Sequence, residues 1–147
     1  MKNNSGMTDI VKTVTSLIGG AITVFGLNII LYGHISPGGG FAGGLILAFI
    51  FILYLISFGG EEAIERLPLR FDHLFDSLGA LMFLLIGFAG IFFGKKFLYN
   101  FFAEAKGRPF ELLSSGFIPL SNIAIGIKVG ASVFLVFAVL AIFRRKR

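Results

Sequence analysis

Four long apolar segments constrain this chain more than any other feature of its sequence. They run from about residues 10 to 32, 41 to 58, 74 to 94 and 121 to 143. A helix needs about 20 apolar residues to cross the hydrocarbon core of a bilayer, and a barrel strand needs only about ten that alternate in polarity. These runs are long and continuous. The sequence therefore predicts an all-α integral membrane protein, a bundle of four transmembrane helices within a single domain over residues 1–147.

The composition supports this class and excludes others. Charged residues make up 14% of the chain and hydrophobic residues 56%, whereas soluble domains carry about 25% charged residues. No cysteine is present, which excludes disulfides and thiolate metal ligands. Much of the net charge of +5 comes from the basic tail at residues 144–147, where such residues normally anchor a span to the cytoplasmic face. We therefore expect a lipid bilayer, and no nucleic acid, around this protein.

The distribution of basic residues predicts the orientation. With the N-terminus in the cytoplasm, the inner segments hold eight basic residues and the outer segments four. Basic residues favour the inner side, whereas acidic residues contribute little. The prediction is that both termini lie inside, with the inner residues being Lys2, Lys12, Arg66, Arg70 and Arg144 to Arg147, and the outer ones Lys95, Lys96, Lys106 and Arg108.

Lys128 lies within the last apolar segment. A lysine at the centre of a membrane helix costs about 2.5–3.5 kcal/mol on insertion scales, so such residues often have a function. Two interpretations are open. The amine extends to the lipid headgroups, or it forms part of an ion or proton route inside protein.

The surroundings of Lys128 on a helical wheel favour protein contact. Asn122, Gly126 and Gly130 form one stripe, and Gly126 to Gly130 is a GxxxG pattern that allows close helix packing in lipid. Lys128 points about 200° away from this stripe, where small residues also occur, namely Ala124, Ala131 and Ser132. Both faces therefore resemble helix-packing surfaces, although small residues are common in membrane helices in general.

A glycine-rich segment, defined here as residues 33–44, separates the first two predicted helices. Pro37 ends the first helix, and Gly38, Gly39 and Gly40 permit a tight connection into Phe41. The segment is either a simple helix hairpin with Ser36 as a capping residue, or a shaped pocket in which His34 and backbone amides line an access path. It is not a phosphate-binding loop, because no Lys-Ser/Thr pair follows it.

Asp76 is the third candidate for an ion or proton route. It lies one turn into the third predicted helix, where an aspartate stabilises the helix N-terminus. It is alternatively a partner for a cation or an entry point for protons. With both termini inside, Asp76 is expected near the inner face and Lys128 in the outer half, so that the two need not touch.

The sequence offers no sign of catalysis. His34 and His73 lie on different loops, and the chain shows no nucleophile arrangement, metal-ligand cluster or cofactor motif. We therefore expect no enzyme activity, no catalytic residue, no metal and no cofactor. One buried lysine does not make a complete ion pathway, which favours one component of a larger ion-translocating assembly. The segment at residues 97–102 is expected to form an interfacial helix or to contact a partner.

Three segments together resemble a known family. They are the glycine-rich segment, Asp76 followed by Gly79 and Ala80, and the stretch from Ser114 to Gly130 that includes Pro119, Asn122 and Lys128. In this order they resemble the MnhB family, the B subunits of Mrp-type multi-subunit Na+/H+ antiporters. The family more often has a glutamate where this chain has Asp76.

The resemblance implies what this chain does and where. It implies a small multi-pass subunit in a prokaryotic cell membrane, working with other antiporter subunits that exchange Na+ for H+, with Lys128 and His34 in the ion or proton route. Related subunits occur in archaeal membrane-bound hydrogenase and sulfur-reducing complexes. The alternative is therefore a structural scaffold in such a redox-driven complex, with Lys128 paired to a carboxylate of a partner. A homo-oligomeric channel is a third hypothesis.

Overall fold

The computed structural model describes residues 7–59, 70–93, 95–100 and 115–145. It contains helices α1 (Asp9–Leu31), α2 (Gly39–Phe58), α3 (Arg70–Phe92) and α4 (Ile118–Arg145). No strand occurs among these residues. All four helices are long and apolar enough to cross a membrane. The predicted all-α membrane class is confirmed, whereas the inside position of both termini stays a prediction from the basic residues.

The short connection between α1 and α2 shows how the sequence ends one helix and starts the next. After α1 the backbone amides of Ile35 and Ser36 both donate to the carbonyl of Tyr32. The hydroxyl of Ser36 donates to the same carbonyl at 3.1 Å, so Ser36 closes α1 and does not cap α2, which has Gly38 at that position. Gly38 and Gly39 have φ angles of 126° and 65°, a region that glycine adopts without steric cost.

The helices pack in the order α1, α2, α4, α3. Helix α2 contacts α1 and α4, and α4 contacts α2, α3 and a smaller part of α1. Of the other described helices, α3 contacts only α4. This order places α4 between the other helices, which is why the two faces of α4 meet different neighbours.

Glycines bring α1, α2 and α4 into close contact. A Cβ atom on Gly43 of α2 would lie 2.8 Å from the Gly26 carbonyl oxygen of α1. A Cβ atom on Gly44 would lie 3.1 Å from the Cα atom of Gly126 in α4. Small residues allow membrane helices to approach at backbone contact, where van der Waals packing replaces the missing hydrophobic driving force.

A polar pair also joins α1 and α2 at the other end of their contact. The hydroxyls of Thr15 and Ser57 lie 2.9 Å apart and share a hydrogen bond. Both residues are buried, with Ser57 fully covered. The ring of Tyr54 fills the space above Gly19. Because each hydroxyl satisfies the other, neither is exposed to lipid without a partner.

Candidate functional site

Asp76, Lys128 and Ser132 form one polar group between α3 and α4, called here the charged cluster. The Lys128 ammonium Nζ lies 2.7 Å from Asp76 Oδ1 and donates a hydrogen bond to it. The same ammonium donates to Ser132 Oγ at 3.5 Å. The Ser132 hydroxyl in turn donates to Asp76 Oδ1 in a very close contact. Two donors from successive turns of α4 therefore converge on one carboxylate oxygen of α3.

Local sequence explains why the two helices approach here. Gly79 lies one turn after Asp76, and a Cβ atom on it would lie 2.7 Å from the Lys128 backbone nitrogen and 2.9 Å from the Ala124 carbonyl oxygen. Ala124 is fully buried in this contact. The absence of side-chain volume at Gly79 thus lets α3 lie against α4 at the level of Lys128. Ser132 follows Lys128 by one helical turn and therefore lies on the same face.

The charged cluster lies within the membrane-spanning part of α4. The apolar span of this helix runs from Ile118 to Ala141, so Lys128 is about 15 Å from its start at 1.5 Å per residue, near the middle of the span. An unpaired charge at this depth costs about 2.5–3.5 kcal/mol. Pairing with Asp76 makes the cluster neutral overall and gives each charge a hydrogen-bonded partner, which offsets part of that cost.

The expectation that Asp76 and Lys128 lie at different depths is wrong. Lys128 Nζ and Asp76 Oδ1 are 2.7 Å apart, so the two side chains lie at one level of the molecule. The partner of Lys128 is therefore in this chain.

The glycine-rich segment forms a second polar region at the start of α2 and α4. The backbone amide of Gly40 donates to Asn122 Oδ1 at 3.4 Å. A Cβ atom on Gly33 would lie 2.9 Å from Asn122 Nδ2. Within the described part of the chain, Asn122 Nδ2 and Ser121 Oγ are buried without a hydrogen-bond partner. Asn122 therefore connects the start of α4 to the start of α2.

The structure does not bring His34 into the charged cluster. His34 is half-buried in the turn that follows α1. Asn122, which marks the level of the glycine-rich segment on α4, precedes Lys128 by six residues, or about 9 Å along the helix axis. The two predicted route residues thus lie at successive levels of the molecule, one near the end of the helices and one near the middle.

The other predicted site residues lie near this second region. Pro37 and Gly38 are exposed, and Phe41 is 62% exposed on the outer side of α2. Gly126 packs against Gly44 and Ile30, and Gly130 lies near the Gly44 carbonyl. The stripe of Asn122, Gly126 and Gly130 therefore faces α2, while the side chain of Lys128 faces α3. Among the residues that the structure describes, no three His, Asp or Glu side chains are close enough to hold a metal ion.

Sequence reasoning missed Asn100, which holds together the described segments before and after residues 101–114. Its side-chain nitrogen donates to the Ser115 carbonyl at 2.9 Å, and its side-chain oxygen accepts from the Phe117 amide at 3.2 Å. Residues 95–100 fold back along α3, where the Leu98 amide donates to the Gly87 carbonyl. The predicted interfacial helix is therefore absent from residues 97–100, and the rest of that prediction lies outside the described residues.

Comparison with known proteins places this arrangement in a family. Residues 10–135 match the family model described as a domain related to the MnhB subunit of Na+/H+ antiporters. The chain belongs to the MnhB family. The resemblance seen in the three sequence segments is thus confirmed over most of the chain.

Relatives of this MnhB-family chain occur in archaea and bacteria. An uncharacterised protein of Methanocaldococcus jannaschii is 42% identical over 83% of this chain and 48% of its own length. A putative antiporter subunit, mnhB2, of Staphylococcus haemolyticus is 40% identical over 62% of this chain and 64% of its own. The chain therefore spans about half to two thirds of the length of these relatives. A multi-pass prokaryotic membrane protein fits both the relatives and the four spans.

A solved structure shares the fold of this MnhB-family chain. A chain of the membrane-bound sulfane sulfur reductase, an archaeal respiratory membrane complex, superposes with a TM-score of 0.72 and 29% identity. The match covers 95% of this chain and 59% of the other. The order of the four helices is therefore found within a larger subunit of a multi-protein complex.

Proposed function

We propose that this chain is a small, non-enzymatic membrane subunit of a multi-subunit Na+/H+ antiporter module, and that its charged cluster is part of an ion or proton route. The other subunits of that module are its partners, and Na+ and H+ are the transported ions. Membership of the MnhB family supports this assignment. The observation that carries it is the contact between Lys128, near the middle of the apolar span of α4, and Asp76, three residues into the apolar span of α3.

The geometry suggests how one proton and one sodium ion exchange at this site. When Lys128 is protonated, its ammonium pairs with the Asp76 carboxylate and the cluster is neutral. When Lys128 gives up its proton, Asp76 keeps its negative charge and attracts a sodium ion, which again leaves a neutral cluster. Return of a proton to Lys128 restores the ion pair and releases the sodium ion. Neither state requires an unbalanced charge within the membrane, the costly condition that such a site must avoid.

The glycine-rich segment has a supporting role in this proposal. His34 lies in the turn after α1, and Asn122 marks the level of this segment on α4, about 9 Å before Lys128. These polar groups, with the backbone amides around Gly40, would shape an access path from the membrane surface to the charged cluster. Pro37, Gly38, Gly39 and Phe41 fix the course of the backbone around that path.

Replacing Lys128 by alanine tests the proposal in the assembled complex. We expect the complex to form, as judged by co-purification of its subunits, and Na+/H+ exchange in membrane vesicles to fall by roughly 100-fold, within the range for loss of a proton-transferring group. Lys12→Ala is a matched control, because Lys12 also pairs with an aspartate, Asp9, but at 3.9 Å and in the first turn of α1. We expect that control to exchange ions normally.

The outcomes separate the alternatives. Loss of assembly in the Lys128→Ala complex indicates the scaffold role, in which the ion pair only holds helices together. Full exchange activity in that complex contradicts any role of Lys128 in transport.

A further inference from the structure

The charged cluster is only partly covered by this chain. The Lys128 side chain is 44% exposed and that of Asp76 is 29% exposed, although Lys128 lies near the middle of the α4 span. Lipid tails provide no hydrogen bonds, so polar groups at this depth face protein or water. Something other than lipid must therefore lie against this part of α3 and α4.

The packing of α3 shows which surface next to the charged cluster is open to a further neighbour. Of the other described helices, α3 contacts only α4, and 17% of the residues in its most apolar window are buried, the lowest share of the four helices. Ala80 lies one turn after Asp76 and is exposed, and Phe83, a further turn along, is 37% exposed. The side of α3 next to the charged cluster is therefore open and has a small residue at the level where a helix would approach.

We infer that a membrane helix of another subunit covers the charged cluster and presents an uncharged hydrogen-bond acceptor to Lys128. An ammonium has three N–H donors, of which one points to Asp76 and one to Ser132. The third has no acceptor within the described part of the chain. Because Asp76 already balances the charge of Lys128, a second carboxylate would leave an unpaired negative charge in the membrane. A hydroxyl, an amide oxygen or a backbone carbonyl satisfies the third donor without that cost.

This inference rests on the proposed function only in assuming that the chain works within a multi-subunit complex. The chain contains no cysteine, so an Ala80→Cys variant carries one reactive position on this subunit. With a benzophenone maleimide attached there, illumination of the complex is expected to join this subunit to a neighbouring one. The isolated chain in detergent, treated in the same way, is expected to give no such product. Phe83→Cys provides a second position if the first variant is poorly produced.

The cross-linked peptide and a labelling test decide between the possible surroundings. Mass spectrometry is expected to locate the cross-link in an apolar helix whose facing residue is uncharged and polar, or offers a free backbone carbonyl. A facing aspartate or glutamate overturns the assignment of an uncharged acceptor. Labelling of Ala80→Cys by a membrane-impermeant maleimide in the intact complex indicates a water-filled chamber, and coupling to lipid alone indicates a lipid-facing surface. Either result overturns the inference.

The cross-linking experiment and the transport assay test the two proposals separately, because either one can give a negative result without the other. A cross-linked product together with normal exchange in the Lys128→Ala complex refutes the role in transport and keeps the interface. Absence of the product, together with lost exchange in Lys128→Ala, refutes the interface and keeps the role in transport.

Discussion

Replacing Gly44 by alanine is expected to separate α2 from α4 and to destabilise the protein by about 2–3 kcal/mol, the upper part of the range for overpacked sites. A Cβ atom at this position would lie 2.5 Å from the Gly126 carbonyl oxygen and 3.2 Å from its carbonyl carbon. These are backbone atoms of a neighbouring helix, so no side-chain rotation relieves the clash. The measurement is the midpoint of unfolding of the purified protein in mixed detergent.

Gly20→Ala is the matched control for this change. Gly20 is also in a membrane helix, but a Cβ atom there would meet nothing within 4 Å. Alanine favours a helix more than glycine does, so we expect this variant to be as stable as the parent or slightly more stable. Equal stability of the Gly44 and Gly20 variants would contradict the close packing of α2 on α4.

Removing Asp76 alone is expected to cost about 3 kcal/mol, because Asp76→Ala leaves the Lys128 ammonium without its counter-charge in the middle of a membrane span. A change of this size shifts the folding equilibrium by roughly 100-fold. Lys128→Ala leaves the opposite charge unpaired and is expected to destabilise the isolated chain by a similar amount. Unfolding of each variant in mixed detergent, followed by circular dichroism, provides the free energies.

The double variant Asp76→Ala with Lys128→Ala completes the test of the ion pair. If the pair neutralises two otherwise unpaired charges, the double variant has no charge to neutralise and recovers most of the lost stability. Losses that simply add, to about 6 kcal/mol by the single-charge cost, would show that the two residues do not interact. Asp9→Ala with Lys12→Ala is the control, because that pair is 3.9 Å apart with Asp9 exposed and is expected to change little.

The membrane helices are predictable from the sequence because their physical cause is local. Each apolar run is long enough to span the hydrocarbon core, and backbone hydrogen bonding in lipid leaves a helix as the favoured form. The stripe of Asn122, Gly126 and Gly130 on α4 is predictable for the same reason, since residues four apart share one helix face. Gly126 indeed lies against Gly44 and Ile30.

The charged cluster was not predictable in this way, because it depends on which helices are neighbours and how far each extends. The sequence indicated Asp76 and Lys128 separately, but their contact requires α3 to pack on α4 with a particular vertical offset. Gly79 permits that arrangement, because it leaves room for the α4 backbone at Lys128. Ser132 became part of the cluster through the same alignment.

The contacts of residues 95–100 and 115–117 were also beyond local reasoning. Phe97 and its neighbours suggested an interfacial helix, but a Cβ atom on Gly87 would lie 2.7 Å from the Phe97 ring, and Phe97 also packs edge-on against Phe88. Asn100 then fixes residues 115–117 through two hydrogen bonds. These contacts join residues nine to 17 positions apart in the sequence, which no helical period reveals.

A neutral version of the charged cluster tests the central claim most directly. In the double variant Asp76→Asn with Lys128→Gln, the side chains keep hydrogen-bonding groups and similar size, and no unpaired charge remains. Vesicles containing the assembled complex should therefore hold normal amounts of this subunit but show no Na+/H+ exchange, because neither residue can bind or release a proton or attract a sodium ion. Normal exchange by this complex would contradict a role for the Asp76–Lys128 pair in the ion route.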